Sequence, residues 1–287
     1  MGLSARVPST LDTNKFIPEI FSKQIAEATH AKLVCWNLTD NSWAKELVKG
    51  DTWYIPKTNI IVASEVVVGS PSTARNAAAT TGVTGSINYW YDVNYPVDDM
   101  SARQTQVDHF AIAKHEIAYA LAKKMDTSVN TLFSAFNSAT VLGTDGAAIT
   151  DKVLLSAWET LAKADVPMDD GNLFLVVNPS GIVDFMDEDK LVNKLYSDNT
   201  PVTNGFRGFH KVYGCAVYCT NNLTNATTGA YAAMFHRKAI ATIAQEEVDM
   251  DLDHVAREHQ TYINGAALWG VIEVRNDFGV AIYTRSR

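Results

Sequence analysis

Several places in this sequence bring together residue types that do chemistry in other proteins. His115-Glu116-Ile117-Ala118-Tyr119 opens like the helix of a zinc protease, where two imidazoles one turn apart hold the metal. Tyr119 stands where the second His is required, so His115 and Glu116 are expected to be a solvated helix face. Asp249, Asp251 and Asp253 match the first three ligands of a calcium loop. Its sixth position is His254, where the sharp turn needs Gly, and its twelfth is Gln260, where a bidentate Glu belongs. Alternation with Val248, Met250 and Leu252 explains the same residues as a strand with an acidic outer face, leaving at most a weak surface cation site.

Ser180 follows an apolar run in a strand-turn-helix pattern like that of a nucleophile elbow. The G-x-S-x-G pattern fails, because Asn178 replaces the first Gly and Gly181 follows Ser180 immediately. Ser180 is therefore expected to cap a helix N-terminus, with Asp184 and Asp187 in its first turns to suit the dipole. Gly205-Phe206-Arg207-Gly208 lacks the third glycine and the preceding buried strand of a dinucleotide fingerprint. His254 and His259 lie near the acidic strand but complete no ligand set. Cys215 and Cys219 flank an apolar, extended run, which puts their Cα atoms ~13 Å apart, beyond disulfide reach. Together with Cys35 they are expected to be buried thiols in a reducing compartment. No catalytic residue, metal ligand or cofactor is expected.

Composition narrows the class further. The 287 residues are 47% hydrophobic and 20% charged, which excludes wholesale disorder. With 24 basic against 32 acidic residues the net charge is -8, an unfavourable balance for sequence-independent binding to phosphate backbones. Met-Gly-Leu-Ser-Ala-Arg carries no apolar core of signal-peptide length, and the longest apolar stretch, Ala266 to Val274, is too short for a bilayer. A protein kept in aqueous solution is expected.

The elements that must position these residues are of mixed type. Residues 1–16 read as a polar extended arm, and Pro18 to Leu33 as a short helix with Ile17, Ile20, Phe21, Ile25 and Ala28 on one face. Trp53 to Val68 reads as one or two strands. Ile87 to Val97 alternates strictly, with Tyr89, Tyr91, Val93, Tyr95 and Val97 on one face and Trp90, Asp92 and Asn94 on the other. Between them Gly69 to Ser86 reads as a long soft tip with Arg75 its only charge. Asp98-Asp99 opens the strongest helical pattern, through Phe110, Ile117, Leu121 and Met125 to Lys123-Lys124, a rod of ~40 Å. Asp126 is placed to cap a further helix carrying Val129, Leu132, Phe133 and Phe136.

A second region follows the turn-rich Gly143 to Thr150. Val153, Trp158, Leu161 and Ala162 mark a helix, and Leu173 to Val177 a strand buried on both faces. A helix then runs to near Tyr196, with strands at Gly214 to Thr220, Ala230 to His236 and Ala266 to Tyr283. The fold class is α+β. An arm, a projecting loop and a long rod are costly for an isolated monomer, because their ordering entropy is not recovered on their own core. They make sense if neighbouring subunits receive them.

In their order, these elements resemble the HK97-like major capsid protein of tailed bacteriophages over nearly the whole chain. Phe16-Ile17-Pro18-Glu19-Ile20-Phe21 is similar to the stretch leading from that family's N-terminal arm into its first helix. Gly50-Asp51-Thr52 with Tyr54-Ile55-Pro56 resembles the strand leading into its extended two-stranded loop, and Tyr91 to Val97 with Asp98-Asp99 the return into its long spine helix. Val176-Val177-Asn178-Pro179 resembles the central strand of its axial domain, and Gly214 to Tyr218 with Asn221-Asn222-Leu223 a later strand and turn.

The resemblance implies an N-terminal arm and helix over 1–49 and an extended loop over 50–97 with a flexible tip at 69–86. It implies a peripheral domain from 98–142 and 245–287, and an axial domain from 143–244. It implies a non-enzymatic shell protein whose partners are copies of itself in hexamers and pentamers, a separate scaffolding protein, a portal and a decoration protein. The shell would enclose double-stranded DNA without sequence-specific binding and without a membrane, assembling in the host cytoplasm and ending in the virion. Ile17, Phe21, Trp53, Arg75, Trp90 and Tyr95 are then the candidate contacts between subunits. An encapsulin-type nanocompartment shares that fold and is one rival reading. An unrecognised α/β enzyme is the other, and predicts a pocket gathering His and carboxylates from several segments.

Overall fold

A computed structural model describes residues 34–45, 50–58, 80–104, 109–192 and 211–285. The arm, the first helix and most of the loop tip read from the sequence lie outside them, as does the stretch toward Tyr196. Strands β1 (Thr52–Thr58) and β2 (Thr80–Ser86) pair as an antiparallel hairpin. β3 (Tyr89–Asp98), α1 (Asp99–Gln104), α2 (His109–Thr131), α3 (Phe136–Ala139) and α4 (Asp151–Lys163) follow. Then come β4 (Leu173–Val177), α5 (Pro179–Asp187), α6 (Asp189–Val192), β5 (Lys211–Val212), β6 (Cys215–Cys219) and β7 (Gly229–His236). The chain closes on the long strands β8 (Ile240–Val255) and β9 (Gln260–Glu273), and on β10 (Gly279–Arg285).

Two sheets organise the molecule. The larger has the order β10-β7-β4-β6-β5, with β4 parallel to β6 and antiparallel to β7. All five residues of β4 are buried, because α4, α5 and the chain around Phe133 and Phe136 cover the sheet. Its apolar run therefore needs no alternation. The smaller sheet, β3-β9-β8, is antiparallel throughout. The alternating residues of β3 stand opposite Trp269, Ala267, Gly265 and Ile263, the face that packs on Ala113, Ile117 and Leu121 of α2. Their four-residue spacing puts those three on one helical stripe.

Four local expectations change. Thr80–Ser86, read as the end of a structureless tip, is a strand, and its partner is β1, whereas β3 joins the body sheet. Asp126 does not cap a new helix. It lies fully buried inside α2, where its carboxylate accepts the Trp36 N–H at 3.1 Å and an Asn222 amide bond at 3.3 Å. The cap of α5 is Asn178, which accepts the Gly181 N–H at 2.8 Å, because Pro179 occupies the first helical position and leaves the cap to its predecessor. Asp184 faces inward and accepts from Ile149 N–H at 2.9 Å and from Arg285.

The passage from α2 to the larger sheet holds a strained turn. Asn137, Ser138 and Ala139 are consecutive non-glycine residues at φ 50°, 55° and 61°. Each costs on the order of 1–2 kcal/mol in that region. Asn276 pins them, accepting the Ser138 N–H and donating to the Ala135 carbonyl at 2.9 Å.

Candidate assembly surfaces

The hairpin is seated by Trp53. The indole is 6% exposed and lies between Gly85 of β2 and Gly270 of β9, where a Cβ on either glycine would come within 2.5–2.6 Å of the ring. With Ile55 it packs on Ala241 and Ile243 of β8, so the hairpin base sits on the side of the smaller sheet away from α2. The Trp53 Nε1–H has no hydrogen-bond partner there. This predicted contact residue is therefore engaged within its own chain. Its neighbour Tyr54 points the other way, lying over Gly82 and remaining 57% exposed.

Of the other predicted contacts, Ile17, Phe21 and Arg75 lie outside the described residues. Trp90 is 75% exposed and Tyr95 45%, on opposite faces of β3: Trp90 pairs with Leu268 away from α2, and Tyr95 with Ile263 on the α2 side. Among the described residues, Trp53, Trp90 and Tyr95 thus do not share one patch. The structure adds apolar positions that the sequence reading missed. Leu155 and Trp158 on α4, and Val183 and Met186 on α5, are exposed one turn apart on the coverings of the larger sheet. Their spacing was the available signal, since a helix covering a core keeps polar residues outward.

The titratable clusters tie segments together. Asp151 accepts from Lys190 at 2.5 Å and from the Tyr213 hydroxyl, closing the two sides of the 193–210 stretch on the start of α4. Burial works to raise that carboxyl, but the two hydrogen bonds and the Lys190 charge outweigh it and hold it below the usual range. Burial and the same carboxylate push the Tyr213 hydroxyl up to about 12.

His236 is fully buried with Nε2 2.8 Å from Asp170, and its Nδ1 accepts the Lys238 N–H at 3.2 Å. That acceptance assigns the proton to Nε2, so both ring nitrogens are engaged and neither is left to act as a general base. Against the effect of burial, hydrogen bonds from His236 and Asn172 bring the Asp170 carboxyl down to about 2. Burial pushes the Cys215 thiol up to about 12 and Cys35 well above its ordinary value, which keeps both as unreactive thiols.

An open pocket of about 470 Å³ lies where β3 passes into α1, lined by Asp98, Asp99, Arg103, Glu258 and His259 among others. It does gather carboxylates and an imidazole from separate segments, as the enzyme reading asks. Among the described residues, however, no three His, Cys, Asp or Glu side chains meet as a metal site. His115 is exposed on α2, and Ser180 stands in the first turn of α5, so neither enters it. No helix among the described residues is long and apolar enough to cross a membrane.

This architecture is that of phage capsid structures. The chain matches a structure from Mycobacterium phage Che8 with a TM-score of 0.80 at 21% identity, covering 96% of this chain and 99% of that one. The capsid structure of the Cyanophage P-SCSP1u matches with a TM-score of 0.74 at 16% identity, over 97% and 96% of the two chains. The capsid of a native GTA particle matches at 0.71 and 9% identity, over 98% and 100%. No family model matches the sequence, and neither does any curated protein.

Proposed function

We propose that this chain is the major capsid protein of a tailed phage, a structural subunit of the HK97-like kind. The observation that carries the reading is the end-to-end match, 96% of this chain on 99% of a phage chain at a TM-score of 0.80. A borrowed module would align over part of one partner only, whereas here nearly the whole of both chains is covered. The subunit self-assembles into an icosahedral shell of hexamers and pentamers around double-stranded DNA. In the division that the resemblance implies, residues 143–244, with α4, α5 and β4 to β7, form the axial domain. Residues 98–142 and 245–287, with α2, most of β8, β9 and β10, form the peripheral domain, and residues 50–97, with the hairpin and most of β3, form the extended loop.

The chemistry of the clusters supports a structural role. Asp151, Tyr213, Asp170 and His236 are each spent on another part of the same chain. The apolar side chains left exposed on α4 and α5, with Tyr95 on the α2 side of β3, are surfaces for neighbouring subunits, and the seated Trp53 holds the hairpin to receive one. A scaffolding protein, a portal and a decoration protein complete the assembly, which takes place in the host cytoplasm and yields the virion. The acidic balance of -8 suits a container from which duplex must be released.

Deleting residues 60–78, which lie between β1 and β2, tests the role of the loop. The shortened chain is expected to keep its circular-dichroism spectrum and its melting transition but to sediment as a subunit rather than as particles. Particles of unchanged size from the shortened chain would contradict the assignment.

A further inference from the structure

β3, β8 and β9 together contain no Lys or Arg. Their register puts Asp92 and Asp249 on either side of Ala266, Asp251 opposite Asn264, and Asp253 opposite Tyr262. All four carboxylates stand on the face away from α2, because their β9 partners alternate with Ile263, Gly265 and Ala267, which pack on the helix. The hairpin base covers this face at Gly270 and Ile272, and the open part begins beside it with Trp90 and Leu268. It ends at Asp98, in the same alternation, which lines the pocket with Asp99, Glu258 and Arg103.

We propose that this sheet face is a docking surface for a lysine- and arginine-rich polypeptide, with Trp90 as its aromatic anchor and the Asp98 pocket as the seat of one cationic side chain. Three observations converge on that occupant. Along β8 the carboxylates repeat every ~7 Å, the spacing of alternate residues in an extended partner chain. Among the described residues none of Asp92, Asp249, Asp251 or Asp253 makes an ion pair, so no described cation offsets their mutual repulsion. Trp90, 75% exposed at the head of the row, presents the ring face that best holds a guanidinium, and tryptophan with arginine dominates interface anchors.

The same charges repel the other candidates. Nucleic acid and anionic lipid carry the wrong sign, and a second copy of a chain with 32 acidic and 24 basic residues is on balance also acidic. The inference stands on this face alone, whichever function the fold serves.

A fluorescent peptide of alternating Arg and Gly, titrated into the full-length protein at low salt, tests it. Saturable binding is expected, weakened about tenfold or more in the Asp249→Asn/Asp251→Asn/Asp253→Asn variant and several-fold in Trp90→Ala. Asp165→Asn/Asp187→Asn/Asp277→Asn, which removes the same charge elsewhere, is expected to bind as the parent does. Melting curves verify that each variant is folded. No binding by the parent, or equal weakening in both triple variants, would overturn the proposal. So would self-association of the parent that the sheet-face variant abolishes, since a second copy would then be the occupant.

Discussion

At the scale of single residues, hydrogen-bonded polar groups join segments far apart in the chain. Asp170 illustrates the consequence for pH. Its native carboxyl is depressed to about 2, while in the unfolded chain it titrates near its ordinary value of about 3.9. The unfolded state therefore takes up the proton first as pH falls, and the stabilisation, complete above about pH 5, is lost toward about pH 2. Asp170→Asn is expected to lower stability at neutral pH and to flatten the decline between about pH 4 and 2, read by urea titrations across that range. An unchanged acid limb would remove Asp170 from the account. Such roles were only partly legible. Asn178 as the α5 cap could be read from the Pro179 that follows it. The duties of Asp126 and Asp184 could not, because their partners Trp36 and Arg285 lie 90 and 101 residues away in sequence.

Among the elements, legibility followed periodicity. β3 alternates strictly and β4 is uniformly apolar, and both stand where their patterns put them. β2 was missed because Thr80–Ser86 has almost no apolar alternation to read. It is a strand through its partner, since β1 supplies the ladder and lays the Tyr54 and Trp53 rings over Gly82 and Gly85. The same close approach makes a sharp prediction at Gly270. A methyl group there would stand 2.6 Å from the Trp53 ring and 2.8 Å from the Ser86 carbonyl, and backbone cannot yield as a side-chain tip can. Gly270→Ala is expected to cost about 1–3 kcal/mol in chemical denaturation and to redden the Trp53 emission by admitting water. A neutral effect on both would show that the hairpin is not held by this slot.

Taken as a whole, the molecule ties its described segments together with the half-buried Asp151 and Asp170 clusters and presents apolar and acidic side chains outward. Its composition gave no hint of this, because the same hydrophobic fraction serves two cores and several unpartnered surfaces. What the sequence did carry was the order of its elements, and the fold they build matches phage structures over nearly its full length. The 21% identity to the Che8 structure explains why no shorter motif pointed there. Electron microscopy of the purified full-length protein under assembly conditions separates a shell subunit from a stable monomer. Closed icosahedral shells, or the hexamers and pentamers that build them, are expected. A homogeneous population of monomers that forms neither under any assembly condition would contradict the shell reading.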